Sequence, residues 1–337
     1  MSGKQTEAEE AMPKRFPITD YFLHYVGKSK MQLLFFLMFM LIFPFLGVFL
    51  REIGRIIESR KLENPSYPYP EYSDFLLALT TCGLLLLIMH TFKISLRGVA
   101  RSAISKRYPV SQRNDRADRL LDRLFKGIYF MFSFGFGYYI AKDLDFFPPA
   151  LGGKGSANYM FDGYPYQEKQ PLLREYLMIQ LGYHLKSLVI HLWSKPRNDF
   201  MEMLLHHFMT VFLISLAYMM NYVNMSILVL YTHDFADIFG CFVQTFVDTD
   251  RVYCTLTSYI LLLITWFYTR IWVFPNELIR AACYESTTEI HGLWLLGGML
   301  HFLLVLHVYW YYLFLKMGYK FLKTSHAEDI QHKIETH

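Results

Sequence analysis

Apolar runs about as long as a bilayer is thick recur along this chain, and they limit its fold more than any other feature. Hydrocarbon offers peptide groups no hydrogen-bond partner, so an unbroken apolar segment crosses it as a helix that closes its own bonds. About 20 residues cover the roughly 30 Å core. Runs near that length occupy Met31–Leu50, Phe75–Phe92, Leu124–Ala141, Tyr176–Trp193, Leu204–Asn221, Ser226–Phe246, Tyr259–Phe274 and Leu293–Lys316. Composition agrees: 53% of the 337 residues are hydrophobic and 18% charged, against about 25% charged in a soluble domain. A net charge of +4 gives no ground for a nucleic-acid partner. Four cysteines, with Cys82 and Cys241 inside apolar runs, make no disulfide scaffold. The expected fold is an all-α polytopic membrane protein of about eight transmembrane helices.

An even number of spans puts both termini on one side, and Lys/Arg placement chooses the side. Most of the 33 basic residues lie before Met31, in Lys93–Arg123, in Lys195–Met203, around Arg251 and beyond Lys316. Both termini are therefore expected in the cytoplasm. The first run follows a segment containing Glu7, Glu9 and Glu10 and has no small-residue cleavage site, so it reads as a retained anchor. Lys93–Arg123 reads as a long basic loop, Lys142–Glu175 as a Pro- and Gly-rich one, and Asn64–Pro70 as a short lumenal turn. Gly127, Gly135 and Gly137 are small residues that would let a neighbouring helix come close.

Ionisable side chains at bilayer depth cost about 2.5–3.5 kcal/mol each, so each needs a reason. His90, His301 and His307 read as solitary packing residues, whereas His184 and His191 share a helix face with Gln180 and Ser187. The informative stretch is Asn198–Gln244. At about 100° per residue, His206, Thr210 and Asn221 fall on one stripe, with His207 at its margin. In the next run His233, Asp237, Cys241 and Gln244 form another, with Asp234 about 100° from His233. The Asn221–Asn224 turn joins the two as an antiparallel hairpin, so the stripes are expected to face each other. His207 and Asp237 are equally far along the chain from Tyr222, which puts both roughly 20 Å from the turn, toward the cytoplasm. An imidazole pair facing a carboxylate suits acyl transfer, because a charged and oriented imidazole takes a proton from an amine or attacks an acyl carbon. A His–Asp pair that merely holds two helices together fits the same pattern. His206, His207, His233 and Asp237 also invite comparison with a zinc set, but adjacent histidines diverge by about 100° and no HExxH is present; no metal is expected.

At these residues the chain resembles the ceramide synthases, the Lag-motif branch of the TLC-domain membrane proteins. Arg174–Tyr183 (REYLMIQLGY), Asp199–Thr210 (DFMEMLLHHFMT), His233–Phe239 (HDFADIF), Thr269–Pro275 (TRIWVFP) and Leu303–Leu315 (LLVLHVYWYYLFL) follow the family's order and spacing. The resemblance implies a bundle of six helices around a central cavity with two accessory helices before it. It divides the chain into a cytosolic tail (1–30), accessory helices with a basic cytosolic loop (31–119), a catalytic domain (120–323) and a cytosolic tail (324–337). It implies an endoplasmic-reticulum enzyme that joins a fatty acyl group from acyl-CoA to a sphingoid base, giving (dihydro)ceramide and CoA, with acyl-CoA as co-substrate and no cofactor. Catalytic importance carries over to His206, His207, His233, Asp234 and Asp237. Thr210, Asn221, Gln180, His184 and Gln244 are the expected substrate-binding residues. Partners are the two substrates and membrane lipids, with a homodimer or a small accessory subunit left open. Another lipid acceptor, or a non-enzymatic lipid-binding TLC protein, are the alternatives.

The chain departs from the family where Leu-Glu and a following Lys usually stand after HDxxD. Gly240, Cys241 and Gln244 occupy those positions. Cys241 and Gln244 share the stripe of His233 and Asp237, so the change is expected to touch the site and its substrate preference.

Overall fold

The computed structural model describes residues 30–194, 200–285 and 293–324. All but one residue of each expected tail, most of the Lys195–Met203 segment and residues 286–292 fall outside them. Eight helices account for most of what is described: α1 (Lys30–Glu63), α2 (Phe75–Ala103), α3 (Val110–Ala141), α4 (Leu173–Trp193), α5 (Phe200–Met219), α6 (Val223–Phe246), α7 (Val252–Trp266) and α8 (Leu293–Thr324). Every predicted run lies on one of them, save the last two residues of Leu204–Asn221 and the last eight of Tyr259–Phe274, which lie in the helical turns that continue α7. Among the described residues, Tyr72–Ala103, Val223–Phe246, Val252–Glu285 and Leu295–Lys320 are long and apolar enough to cross a membrane, and Met203–Met219 is a shorter apolar helix. The chain is a multi-pass membrane protein.

Helix α6 sits at the centre. It packs chiefly on α3 and α7 and also touches α4 and α5. Of its apolar window 61% is buried, against 17% for the segment carrying α2, whose leucines face outward. Central placement is what lets the most polar run be a membrane helix: its ionisable groups meet protein instead of lipid. Close crossings depend on small residues. A Cβ added at Gly137 would lie 2.9 Å from the Tyr176 hydroxyl, and one at Gly182 would lie 2.6 Å from the Ala78 carbonyl, where α4 meets α2.

One expectation about connections is corrected, and two are given their detail. Lys93–Arg123 is two helix ends joined by a short link over 104–109, because α2 and α3 run on beyond their apolar parts. The pairs Lys93–Asp122 and Arg97–Asp118, each at 2.7 Å, tie those ends together. Lys142–Glu175 is a packed loop with short 3-10 turns at Pro149–Leu151 and Ala157–Phe161, and it buries Phe146, Phe147, Met160 and Phe161. The turn between α5 and α6 is a helix cap: Asn221 adopts a left-handed φ of 61° and the Tyr222 N–H reaches the Ala217 carbonyl at 2.7 Å.

Helix α7 continues in wide π turns over Phe267–Ile279 and Ala281–Glu285. Pro275 lies inside the first of these. Proline has no N–H for the carbonyl four residues before it, and the i→i+5 register lets the next N–H serve that carbonyl.

Candidate active site

Helices α4, α5, α6 and α8 and the π stretch after α7 enclose one cavity. His184, His206, Thr210, His233, Asp234, Asp237 and Arg270 border it, and the remainder of its wall is mainly Leu, Ile, Val, Met and Phe. Parts of the two hairpin stripes face each other across this space: His206 and Thr210 from α5, His233 and Asp237 from α6. Direct packing of α5 on α6 is slight.

The expected histidine pair is divided. His206 borders the cavity, with its ring 5.2 Å from that of Trp310, and the Thr210 hydroxyl donates to its carbonyl at 2.8 Å. His207 is turned away, as the helical step requires. Its ring lies 5.5 Å from those of His206 and His191, and its Nδ1 is buried without a partner among the described residues. His191 itself bonds the Phe200 carbonyl at 3.0 Å.

Asp237 does not orient an imidazole, as the sequence reading held. Its partner is Arg270, whose Nη2 donates to Oδ1 at 2.5 Å and to the His233 carbonyl at 2.9 Å. The guanidinium lies 3.9 Å over the ring of Trp266 and is 3% exposed. A planar fork with a delocalised charge suits both contacts at once. Arg270 was missed as a site residue, although it is a charge within an apolar run and the insertion-cost rule that marked Asp234 and Asp237 applies to it equally.

His233 and Asp234 both border the cavity but diverge by about 100° around α6, each toward different partners. His233 Nδ1 lies 2.6 Å from the Val229 carbonyl and Nε2 lies 3.0 Å from His307 Nε2. His307 is fully buried, and the Trp266 indole N–H donates to its carbonyl at 3.1 Å. Its reading as a solitary packing residue is therefore wrong; its partner lies on another helix, where spacing gives no signal. His301 also has a partner, the Tyr284 hydroxyl at 3.0 Å. Asp234 turns to α3 and α4: its Oδ2 accepts from Ser133 at 2.6 Å, from Gln180 at 2.6 Å and from Tyr176 at 3.4 Å. Tyr129 donates to Gln180 Oε1 at 3.0 Å. Gln180 is thus a buried support for Asp234, and it does not border the cavity.

Three other expected residues stand elsewhere. Asn221 is at the opposite end of the hairpin, donating to the Pro165 carbonyl at 2.8 Å and held by Tyr67 and Arg174. Gln244 is exposed, and its carbonyl accepts from Arg123 at 2.9 Å. Cys241 is buried among Tyr129, Phe130 and Tyr183, beside Gly127. The departures at 241 and 244 therefore fall against α3, outside the cavity. Among the described residues no three His, Cys, Asp or Glu side chains are grouped to hold a metal ion.

Residues 119–316, more than half of the chain, match the family model described as the TLC domain. The chain is similar to ceramide synthase 4 of Homo sapiens, 32% identical over 181 residues that make 52% of this chain and 45% of that one. A ceramide synthase of Arabidopsis thaliana is 30% identical over 182 residues, 51% of this chain and 62% of that one. A ceramide synthase of Caenorhabditis elegans is 26% identical over 239 residues, 64% and 61% of the two chains. The match spans about half the length of the human relative and less than two thirds of the others. An apolar cavity with a histidine–aspartate end, set in a bundle that matches over this length, leaves one assignment: the chain belongs to the TLC-domain family.

Proposed function

We propose that this protein is a ceramide synthase, moving a fatty acyl group from acyl-CoA to the amine of a sphingoid base to give (dihydro)ceramide and free CoA. The observation that carries the reading is a cavity with an apolar wall and one polar end, where His206, His233, Asp234, Asp237 and Arg270 meet. A lipid tail needs the wall, and acyl transfer needs the polar end. The names of the relatives support it: ceramide synthases of an animal, a nematode and a plant, and a sphingosine N-acyltransferase-like protein of Gibberella moniliformis, 26% identical over 254 residues.

In this reaction a C–N bond forms and the thioester C–S bond breaks. His206 acts either as the base that takes the amine proton or as the nucleophile that first accepts the acyl group. The sulfur departs as thiolate and recovers the proton from the imidazolium. Arg270 brings positive charge to the end of the cavity where the thioester oxygen becomes negative. His207 acts from behind His206, Asp234 and Asp237 shape the field at the site, and no cofactor takes part.

The assigned location is the endoplasmic-reticulum membrane with both termini cytosolic, which opens the polar end toward cytosolic CoA. Residues 120–323 form the catalytic domain, 31–119 the accessory helices, and 1–30 and 324–337 the tails. A homodimer or a small accessory subunit is compatible with this layout. Detergent-purified protein given a sphingoid base and a series of acyl-CoAs should release CoA and form ceramide. Product on another lipid amine or alcohol alone would replace the acceptor. Bound lipid that never turns over would make the chain a binding protein.

A further inference from the structure

A cavity of about 240 Å³ lies at the turn end of the α5–α6 hairpin, where Asn221 borders it. Two helices begin on it: residues 173–175 of α4 and 223–224 of α6 form part of its wall. No side chain caps either start. The backbone bonds begin only where the Tyr176 N–H meets the Leu172 carbonyl and the Ser226 N–H meets the Tyr222 carbonyl. The N–H groups before them have no acceptor within the helix. Each start carries roughly half a positive charge, and N–H groups at such an end bind phosphate readily. Here two of them share one space.

Charged side chains complete the wall. Arg174 donates to the Pro68 carbonyl at 2.8 Å and to Asn221 Oδ1 at 3.3 Å, and neither acceptor is a carboxylate. Lys169 is exposed, with no hydrogen bond or ion pair among the described residues. Partial desolvation first and the Arg174 charge second hold its ammonium below the ordinary value, while Asp74 and Glu175 act the other way. Glu168 and Glu175 stand on the same wall. Two cations and two carboxylates balance, which suits a ligand carrying both signs. Gln167, also on this wall and 5% exposed, adds a further acceptor. Its Nε2 donates to the Met160 and Asp162 carbonyls at 2.7 and 3.3 Å, and its Oε1 is buried without a partner. A buried oxygen left over in this way needs an N–H or O–H.

The geometry points to a binding site for a phosphate ester that carries a primary amine, the phosphoethanolamine group. Its phosphate takes the two helix starts with Arg174 and Lys169, whose N–H groups make charge-assisted bonds. Its ammonium faces Glu168, Glu175 and the Gln167 oxygen, each able to accept an N–H. A quaternary ammonium has no N–H to give and is held by aromatic cages. Among the described residues Tyr67 alone supplies a ring to this wall, and its hydroxyl is already bonded to the Gln167 carbonyl and to Asn221. A phosphate with no amine leaves the two carboxylates and the Gln167 oxygen unanswered. The group arrives either as a lipid headgroup or as the free small molecule. This site is separate from the His206 cavity and does not rest on the acyl-transfer reading.

The test titrates detergent-purified full-length protein with dioleoyl phosphatidylethanolamine, dioleoyl phosphatidylcholine, dioleoyl phosphatidylglycerol, free phosphoethanolamine, inorganic phosphate or glycine. Melting point and native mass spectrum are read. Phosphatidylethanolamine should raise the melting point and stay bound, and the choline and glycerol lipids should bind at least about tenfold more weakly. Free phosphoethanolamine acting at similar concentration makes the small molecule the source; phosphatidylethanolamine acting alone makes it the lipid. Lys169→Ala should weaken binding about tenfold, the contribution of one charge-assisted hydrogen bond. Glu168→Gln with Glu175→Gln, at two exposed positions, should weaken phosphatidylethanolamine and strengthen phosphatidylglycerol. Equal binding of the choline or the glycerol lipid by the parent protein overturns the proposal, as does equal stabilisation by phosphate or glycine. Phosphatidylethanolamine binding that is absent, or unchanged in both variants, overturns the site.

Discussion

His233 shows how partners assign chemistry to a side chain. A carbonyl only accepts, so the 2.6 Å contact to Val229 puts the ring proton on Nδ1 and leaves Nε2 as the acceptor. His307 Nε2 must then be the donor in the 3.0 Å contact between the rings, and its own Nδ1 is left buried without a partner. His307→Phe removes that donor; kcat should fall about five- to tenfold, the value of one hydrogen bond near 1 kcal/mol. His307→Asn, which keeps an N–H, should retain more of the rate, with both melting points close to the parent's. His206→Ala should lower the rate of ceramide formation at least about 100-fold, the range for removing a catalytic base. An active His206→Ala protein would remove His206 from its assigned role. Arg270→Leu leaves the half-buried Asp237 carboxylate without its partner, a loss smaller than the roughly 3–5 kcal/mol for breaking a fully buried pair. Thermal unfolding in detergent should show that loss, and Arg270→Leu with Asp237→Leu should recover part of the stability and none of the activity. At this scale the sequence located His206, His233, Asp234 and Asp237 by the cost of charge in lipid. It could not give Asp237 its arginine or His233 its second histidine, because those contacts join helices far apart in the chain.

At the scale of the elements, hydropathy finds where a helix is in lipid and says little about where it stops. Lys93–Arg123 looked like a loop because it is charged, yet Lys93, Arg97, Asp118 and Asp122 are the paired ends of two helices. Small residues were legible as crossing points only in part. Gly127 and Gly137 meet neighbouring helices, whereas nothing lies within 4 Å of a Cβ added at Gly135. Gly182 makes the tightest α2–α4 approach and was passed over, since one glycine among large residues carries no pattern. Gly182→Val should destabilise by about 1–3 kcal/mol through overpacking, and Gly135→Ala should leave the melting point nearly unchanged. The π stretch was likewise invisible apart from Pro275, and it presents Arg270 to Asp237.

For the whole molecule, the distribution of lysine and arginine makes a topology that can be checked. Tags at the two termini should be digested by protease added to intact microsomes, and an N-glycosylation acceptor placed in the 142–172 loop should gain a glycan. Protection of either tag would reverse the orientation assigned to the polar end. The apolar runs by themselves determined that this chain is a set of membrane helices, because hydrocarbon leaves an unpaired peptide group no alternative. They also determined that a few charged residues within those runs must face protein. Only the tertiary structure decided which faces met. Helical period places side chains on a stripe, but packing of α6 between α3 and α7 sent Asp234 to Gln180, Asp237 to Arg270 and Cys241 away from the cavity. Polar groups buried in a bundle take the partners that packing brings within bonding distance, and separation along the chain does not encode them.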